Sequence, residues 1–164
     1  MNARVESTGD KLVTYWRKLR LPIVAGCSEE VLARFEKEHS VQLPADMRGY
    51  FGIVNGMRPG SPGDQDPQGF SFWPLERVRW VPEELADRSP QTVSFPGSEQ
   101  FYVFADYLDW SWAYAIRLSP GASRTEVVII GKDQPELVAE SFSTFVDLYL
   151  GDSPRLYESP PLSP

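Results

Sequence analysis

Apolar residues recur at helical spacing through the first third of the chain and in short strand-like runs after it. Val13, Trp16 and Leu19 share one face of a first helix, capped by Asp10 and running to Arg20. Leu21-Pro22 ends it, because proline disfavours helical geometry in the residue before it. Ser28 caps a second helix whose first turn holds Glu29 and Glu30, where negative charge meets the positive end of the helix dipole. Val31, Leu32 and Phe35 form its apolar stripe, which fades near His39-Ser40. A third helix opens at Pro44 and buries Met47, Tyr50, Phe51 and Val54, and Asn55-Gly56 supplies a left-handed stop. Gly49 and Gly52 inside it each cost about 1 kcal/mol relative to alanine, which predicts a close approach of another element there.

Met57 to Gly69 is rich in Gly, Pro, Ser and Asp and reads as a loop. Beyond it, Phe70 to Trp73, Phe101 to Ala105, Trp112 to Leu118 and Glu126 to Ile130 read as strands, the middle two joined by a turn over Asp106 to Ser111. Leu75 to Val81 is either a short helix or an irregular edge, and Pro82 to Arg88 a helical turn. Ser141 caps a last helix with Phe142, Phe145, Val146 and Tyr149 inward and Gly151 as its stop. Helices, then strands, then a closing helix predict an α+β domain over 1–151. Residues 152–164, with prolines at 154, 160, 161 and 164, read as a loose tail.

Charge narrows the partners. Sixteen basic and 23 acidic residues give a net charge of −7, which argues against nucleic-acid binding through phosphate neutralisation. The acids concentrate between Met57 and Ala115, where 4 basic and 9 acidic residues leave −5, a balance that favours a basic partner if those acids face solvent. No apolar run is long enough to span a bilayer, so no membrane partner is expected. The polar N-terminus lacks the apolar stretch of a secretory signal, and one cysteine, Cys27, fits a reducing compartment; the expected location is cytoplasmic.

Catalytic and metal chemistry find little footing. His39 is the only histidine, and Cys27 twelve residues before it would sit about 18 Å away across a helix. One Cys and one His build no zinc site, and the run Asp64 to Gly69 departs from a calcium loop at its twelfth position, Leu75; no metal or cofactor is expected. The surviving enzyme alternative is a carbohydrate hydrolase using Asp106 and Asp109 beside Tyr107 and Trp110. Two acids in one turn more often bond local backbone. Aromatics are plentiful: 12 of 21 lie between Phe70 and Tyr114, and Trp80 and Trp110 stand next to charged or turn residues, where interfaces draw on tryptophan.

An ordered set of residues carries a family resemblance. Ser28-Glu29-Glu30-Val31, Phe35-Glu36, Leu43-Pro44-Ala45-Asp46-Met47-Arg48 and Asn55-Gly56 resemble the opening signature of the SUKH superfamily. Trp73-Pro74-Leu75, Phe104-Ala105-Asp106, Trp112 to Ile116 and Ser141-Phe142 with Phe145 are similar to its later elements, so the likeness covers about 28–150. That superfamily includes fungal cell-wall synthesis regulators and bacterial immunity proteins. The resemblance implies N-terminal helices and a C-terminal helix against a mostly antiparallel, strongly twisted sheet, and no catalysis. It further implies an immunity protein that binds and neutralises a toxin, with an intracellular scaffold or regulator as the alternative. A basic toxin domain is the partner expected from the charge, and the expected contact residues are Trp80, Glu83, Glu84, Asp106, Asp109 and Trp110. Oligomeric state is left open.

Overall fold

The computed structural model describes residues 6–60, 64–88, 95–121 and 123–157. Helix α1 spans Thr8–Lys18, α2 Glu29–His39 and α3 Ala45–Ile53. Strands β1 (Phe70–Phe72) and β2 (Arg79–Trp80) bracket a 3₁₀ turn at Leu75–Arg77, and α4 follows at Val81–Arg88. Strands β3 (Phe101–Tyr107), β4 (Trp112–Arg117), β5 (Val127–Ile130) and β6 (Glu136–Ala139) precede α5 (Phe142–Leu150). The fold is α+β: the sheet runs β1-β3-β4-β5-β6, β2 shares the β1 edge of β3, and every pairing is antiparallel.

Side-chain alternation along the strands separates two cores. On one face Phe104, Tyr114, Ile116, Val127 and Ile129 meet Trp16, Met47, Tyr50, Phe142, Phe145 and Tyr149 of the helices. On the other, Val103, Ala113, Ala115, Val128 and Ile130 meet Trp73 together with Val81 and Leu85 of α4. Small alanines on β4 let this second layer lie close. With both faces covered, β3 and β4 are buried almost throughout.

Local chemistry revises several sequence expectations. Ser7, not Asp10, caps α1; Asp10 is its partner in a capping box, three residues on. The buried stripe of α1 is Leu12 and Trp16, four residues apart, while Val13 and Leu19 lie half-buried beside it. Val31 is exposed at the start of α2, and Leu32 and Phe35 carry its contacts. Helix α3 ends on Val54 in extended geometry, bridged to Ala25; Gly56, at φ 65°, makes the next turn against Trp73. Gly49 and Gly52 meet nothing where a Cβ would project; the predicted close approach is absent at Gly49, and at Gly52 it is made to the backbone carbonyl, which Gly26 faces. Strand β6 escaped the sequence reading.

The tail expectation also fails over its first six residues. A 3₁₀ turn at Pro154–Leu156 buries Leu156 completely, and the Leu156 carbonyl accepts the Tyr114 hydroxyl at 2.6 Å. Tyr157 packs edge-on against Phe70. The domain therefore runs to at least Tyr157, and the remainder of the predicted tail, 158–164, lies outside the described residues.

Three distant elements are tied by one buried chain of hydrogen bonds. The Trp16 indole N–H donates to the Tyr149 hydroxyl at 3.0 Å, which donates to Asp66 at 2.6 Å. The other Asp66 oxygen accepts the backbone N–H groups of Gln68 and Phe70. Asp66 is thus the buried organiser of its loop. Burial, with the Asp66 charge second, pushes the Tyr149 hydroxyl well above the usual phenol range.

Candidate functional site

Asp106 is the hub of an acid–aromatic cluster that the sequence reading and the fold share. It sits near the end of β3, 4% exposed. One oxygen accepts the Trp73 indole N–H at 2.7 Å and the other the Trp110 backbone N–H at 3.1 Å. Arg77 approaches to 3.9 Å and lies over the Trp73 ring, 4.0 Å from its centroid.

The turn that Asp106 caps is unusual. Leu108, Asp109 and Trp110 follow one another at φ 48°, 50° and 65°, a left-handed run without a glycine. Each such residue costs roughly 1–2 kcal/mol. Local bonds hold the turn: the Leu108 N–H donates to Gly69 and the Ser111 hydroxyl to the Leu108 carbonyl, both at 2.9 Å. Gln65 donates to Asp109 at 2.5 Å. The result keeps Leu108 49% exposed at the tip.

Trp110 folds back onto the α4 side of the sheet, its ring against Gly131 and under the Arg88 guanidinium, 4.7 Å from its centroid. Its indole N–H is buried and has no acceptor among the described residues. Arg88 in turn donates to Glu84 at 3.0 Å. Between these groups opens a cleft of about 210 Å³, lined by Asp64, Gln65, Ser71, Arg77, Arg88, Asp106, Asp109 and Trp110.

The six residues expected to contact a partner do not form one face. Asp106, Asp109 and Trp110 converge on the cleft, and Glu84 reaches it only through Arg88. Glu84 and Asp106 are buried, at 7% and 4% exposure, and hold arginines and tryptophans in place instead of facing solvent. Glu83 is exposed but lies on α4 beside Arg79, which also pairs with Glu84 and Asp87. Trp80 packs on the helix side of the sheet, opposite to Trp110, with its N–H on the Glu99 carbonyl at 2.8 Å. With Asp66 also buried, three of the nine acids between Met57 and Ala115 leave the surface, so the exposed charge there is weaker than the sequence count.

The cleft also gathers residues the sequence reading passed over: Leu108 beside it, Ser71, Arg77 and Arg88 within it. Arg77 carried a readable signal, since it stands between Trp73 and Trp80 in a segment of net negative charge; Arg88 did not, because the tryptophan it covers is Trp110. Among the described residues no group of three or more His, Cys, Asp or Glu is placed to hold a metal ion, and no helix is long and apolar enough to cross a membrane.

The model of the SMI1 / KNR4 family (SUKH-1) matches residues 26–148, three quarters of the chain. The chain belongs to the SUKH-1 family. No curated protein matches it. The SUKH-1 region starts at Gly26, just before α2, and closes inside α5, so it takes in the whole sheet and the cleft. Helix α1 and the turn at Pro154–Leu156 fall outside it, yet both pack into the same core.

Proposed function

We propose that this SUKH-1 protein is a non-catalytic immunity-type protein of the cytoplasm, which neutralises a basic toxin domain by binding it directly. The observation that carries the reading is the left-handed run Leu108-Asp109-Trp110. Strain of this kind persists where the surroundings over-determine it, and it clusters at recognition sites. Here it holds a half-exposed leucine next to an exposed carboxylate, an apolar anchor with an acidic rim. The contact surface is accordingly the turn 108–111 with its exposed acid Asp109, smaller than the sequence reading made it. Asp106 supports a positioning role over a hydrolytic one, because both its oxygens already accept hydrogen bonds.

The test is co-expression with a toxin-like reading frame encoded beside this gene. Rescue of growth, and co-purification that weakens as salt rises, are expected. Leu108→Asp should abolish both while leaving the thermal melt unchanged. Rescue untouched by Leu108→Asp removes this surface, and failure of any neighbouring toxin to bind removes the immunity reading. Capture of several cellular partners without a toxin would favour the scaffold role.

A further inference from the structure

We propose that the cleft beside the 108–111 turn is a binding site for a small zwitterionic amino acid, with the carboxylate on the inner wall and the ammonium at the rim. Two hydrogen-bond donors of the cleft are unspent. Ser71 is 7% exposed, lines the cleft, and its hydroxyl makes no hydrogen bond among the described residues. Arg77 is held flat on Trp73, and its closest acid is Asp106 at 3.9 Å, which leaves most of its planar fork for a second carboxylate. Trp110 lines the same cleft, so its ring reports on what enters.

The acceptors lie further out. Asp109 is exposed and gives one oxygen to Gln65, leaving the other open, and Asp64 is half-buried at the same cleft. Charge selects the ligand. Three aspartates and two arginines line the cleft, so a lone anion enters a net negative site and a lone cation meets two guanidiniums. A zwitterion satisfies both sets and brings no net charge. A volume of about 210 Å³ lies below the range that holds drug-sized molecules, which confines the occupant to a small ligand. This site does not depend on the toxin reading.

Indole resonances of the ¹⁵N-labelled full chain test it. The protein has five tryptophans, and Trp110 is assigned by the peak lost in Trp110→Phe. Titration with the common amino acids at millimolar concentration should move that peak saturably for at least one of them. Acetate and methylammonium, the two half-ligands, should not saturate over the same range. Arg77→Gln, and independently Asp109→Asn, should weaken binding roughly tenfold or more. The site is overturned by no saturable shift with any amino acid, by acetate binding as well as the amino acid does, or by folded Arg77→Gln and Asp109→Asn proteins that bind unchanged.

Discussion

Gly26 faces the carbonyl of Gly52 so closely that a Cβ on Gly26 would stand 2.2 Å from its oxygen. The neighbouring Cys27 N–H donates to the Phe51 carbonyl at 2.7 Å, so the segment before α2 is laced to the end of α3. Gly26→Ala is therefore expected to destabilise the protein by several kcal/mol, because the obstacle is backbone and cannot swing aside (about 1–3 kcal/mol for ordinary overpacking). Gly49→Ala and Gly52→Ala should each stabilise by up to about 1 kcal/mol, since their Cβ atoms enter open space on a helix. Urea denaturation of the three variants checks both signs.

Removing the Tyr149 hydroxyl should leave two buried groups stranded at once. Tyr149→Phe takes the acceptor from Trp16 and the donor from Asp66. A loss of about 1–3 kcal/mol is expected in chemical denaturation. A change within a few tenths would mean that the chain of bonds contributes little.

How much of this was readable beforehand depends on the range of the interaction. Ser28 and Ser141 cap their helices as read, because a cap is a bond across three residues. The apolar face of α3 was legible for the same reason. The position of Trp80 was not: it is fixed only once β2 is paired to β3, more than twenty residues away, and Trp110 reaches the other face from a turn. Burial of Asp66 and Asp106 was invisible too, since Tyr149 and Trp73, which bond them, lie 83 and 33 residues away. Strand β6 hid because its two outer residues, Glu136 and Leu137, face solvent in part and mute the apolar signal. Of the site, the sequence showed the acids and the tryptophans but not the arginines that join them.

The turn at 108–111 should gain stability when its strain is released. Asp109→Gly removes the steric cost of φ 50° and loses only a surface hydrogen bond to Gln65. A gain of up to about 1 kcal/mol in a thermal or urea melt is expected. The same variant should bind partner or ligand less well, because the turn is no longer held in one shape.

Acid should unlock the Glu126 site. Burial raises this carboxyl, but hydrogen bonds from Arg117 and Arg124 outweigh it, so its pKa in the fold lies below the ordinary value. A group lowered in this way contributes stability above the unfolded carboxylate range, about 4.3, and loses it as pH falls through the folded value. Glu126→Gln should cost about 1 kcal/mol near neutrality. Its deficit against the parent should shrink below about pH 4 in urea melts. A deficit constant across pH would assign it to packing.

Leu156→Ala should cost about 2–5 kcal/mol, the range for truncating a fully buried leucine. Deleting 152–164 should cost more, because the Tyr114 hydroxyl then loses its acceptor as well. Equal stability of the shortened and full chains by calorimetry would refute the role given to this segment.

The bond between Trp16 and Tyr149 joins residues 133 positions apart and stitches the first helix to the last. During synthesis, a nascent chain emerging from the ribosome holds Trp16 long before Tyr149 exists to meet it. Until α5 clears the exit tunnel, the aromatic floor formed by Trp16, Tyr50 and Phe72 has no lid. Native closure therefore waits for the last helix, and the unfinished polypeptide is the form that holdase chaperones should recognise.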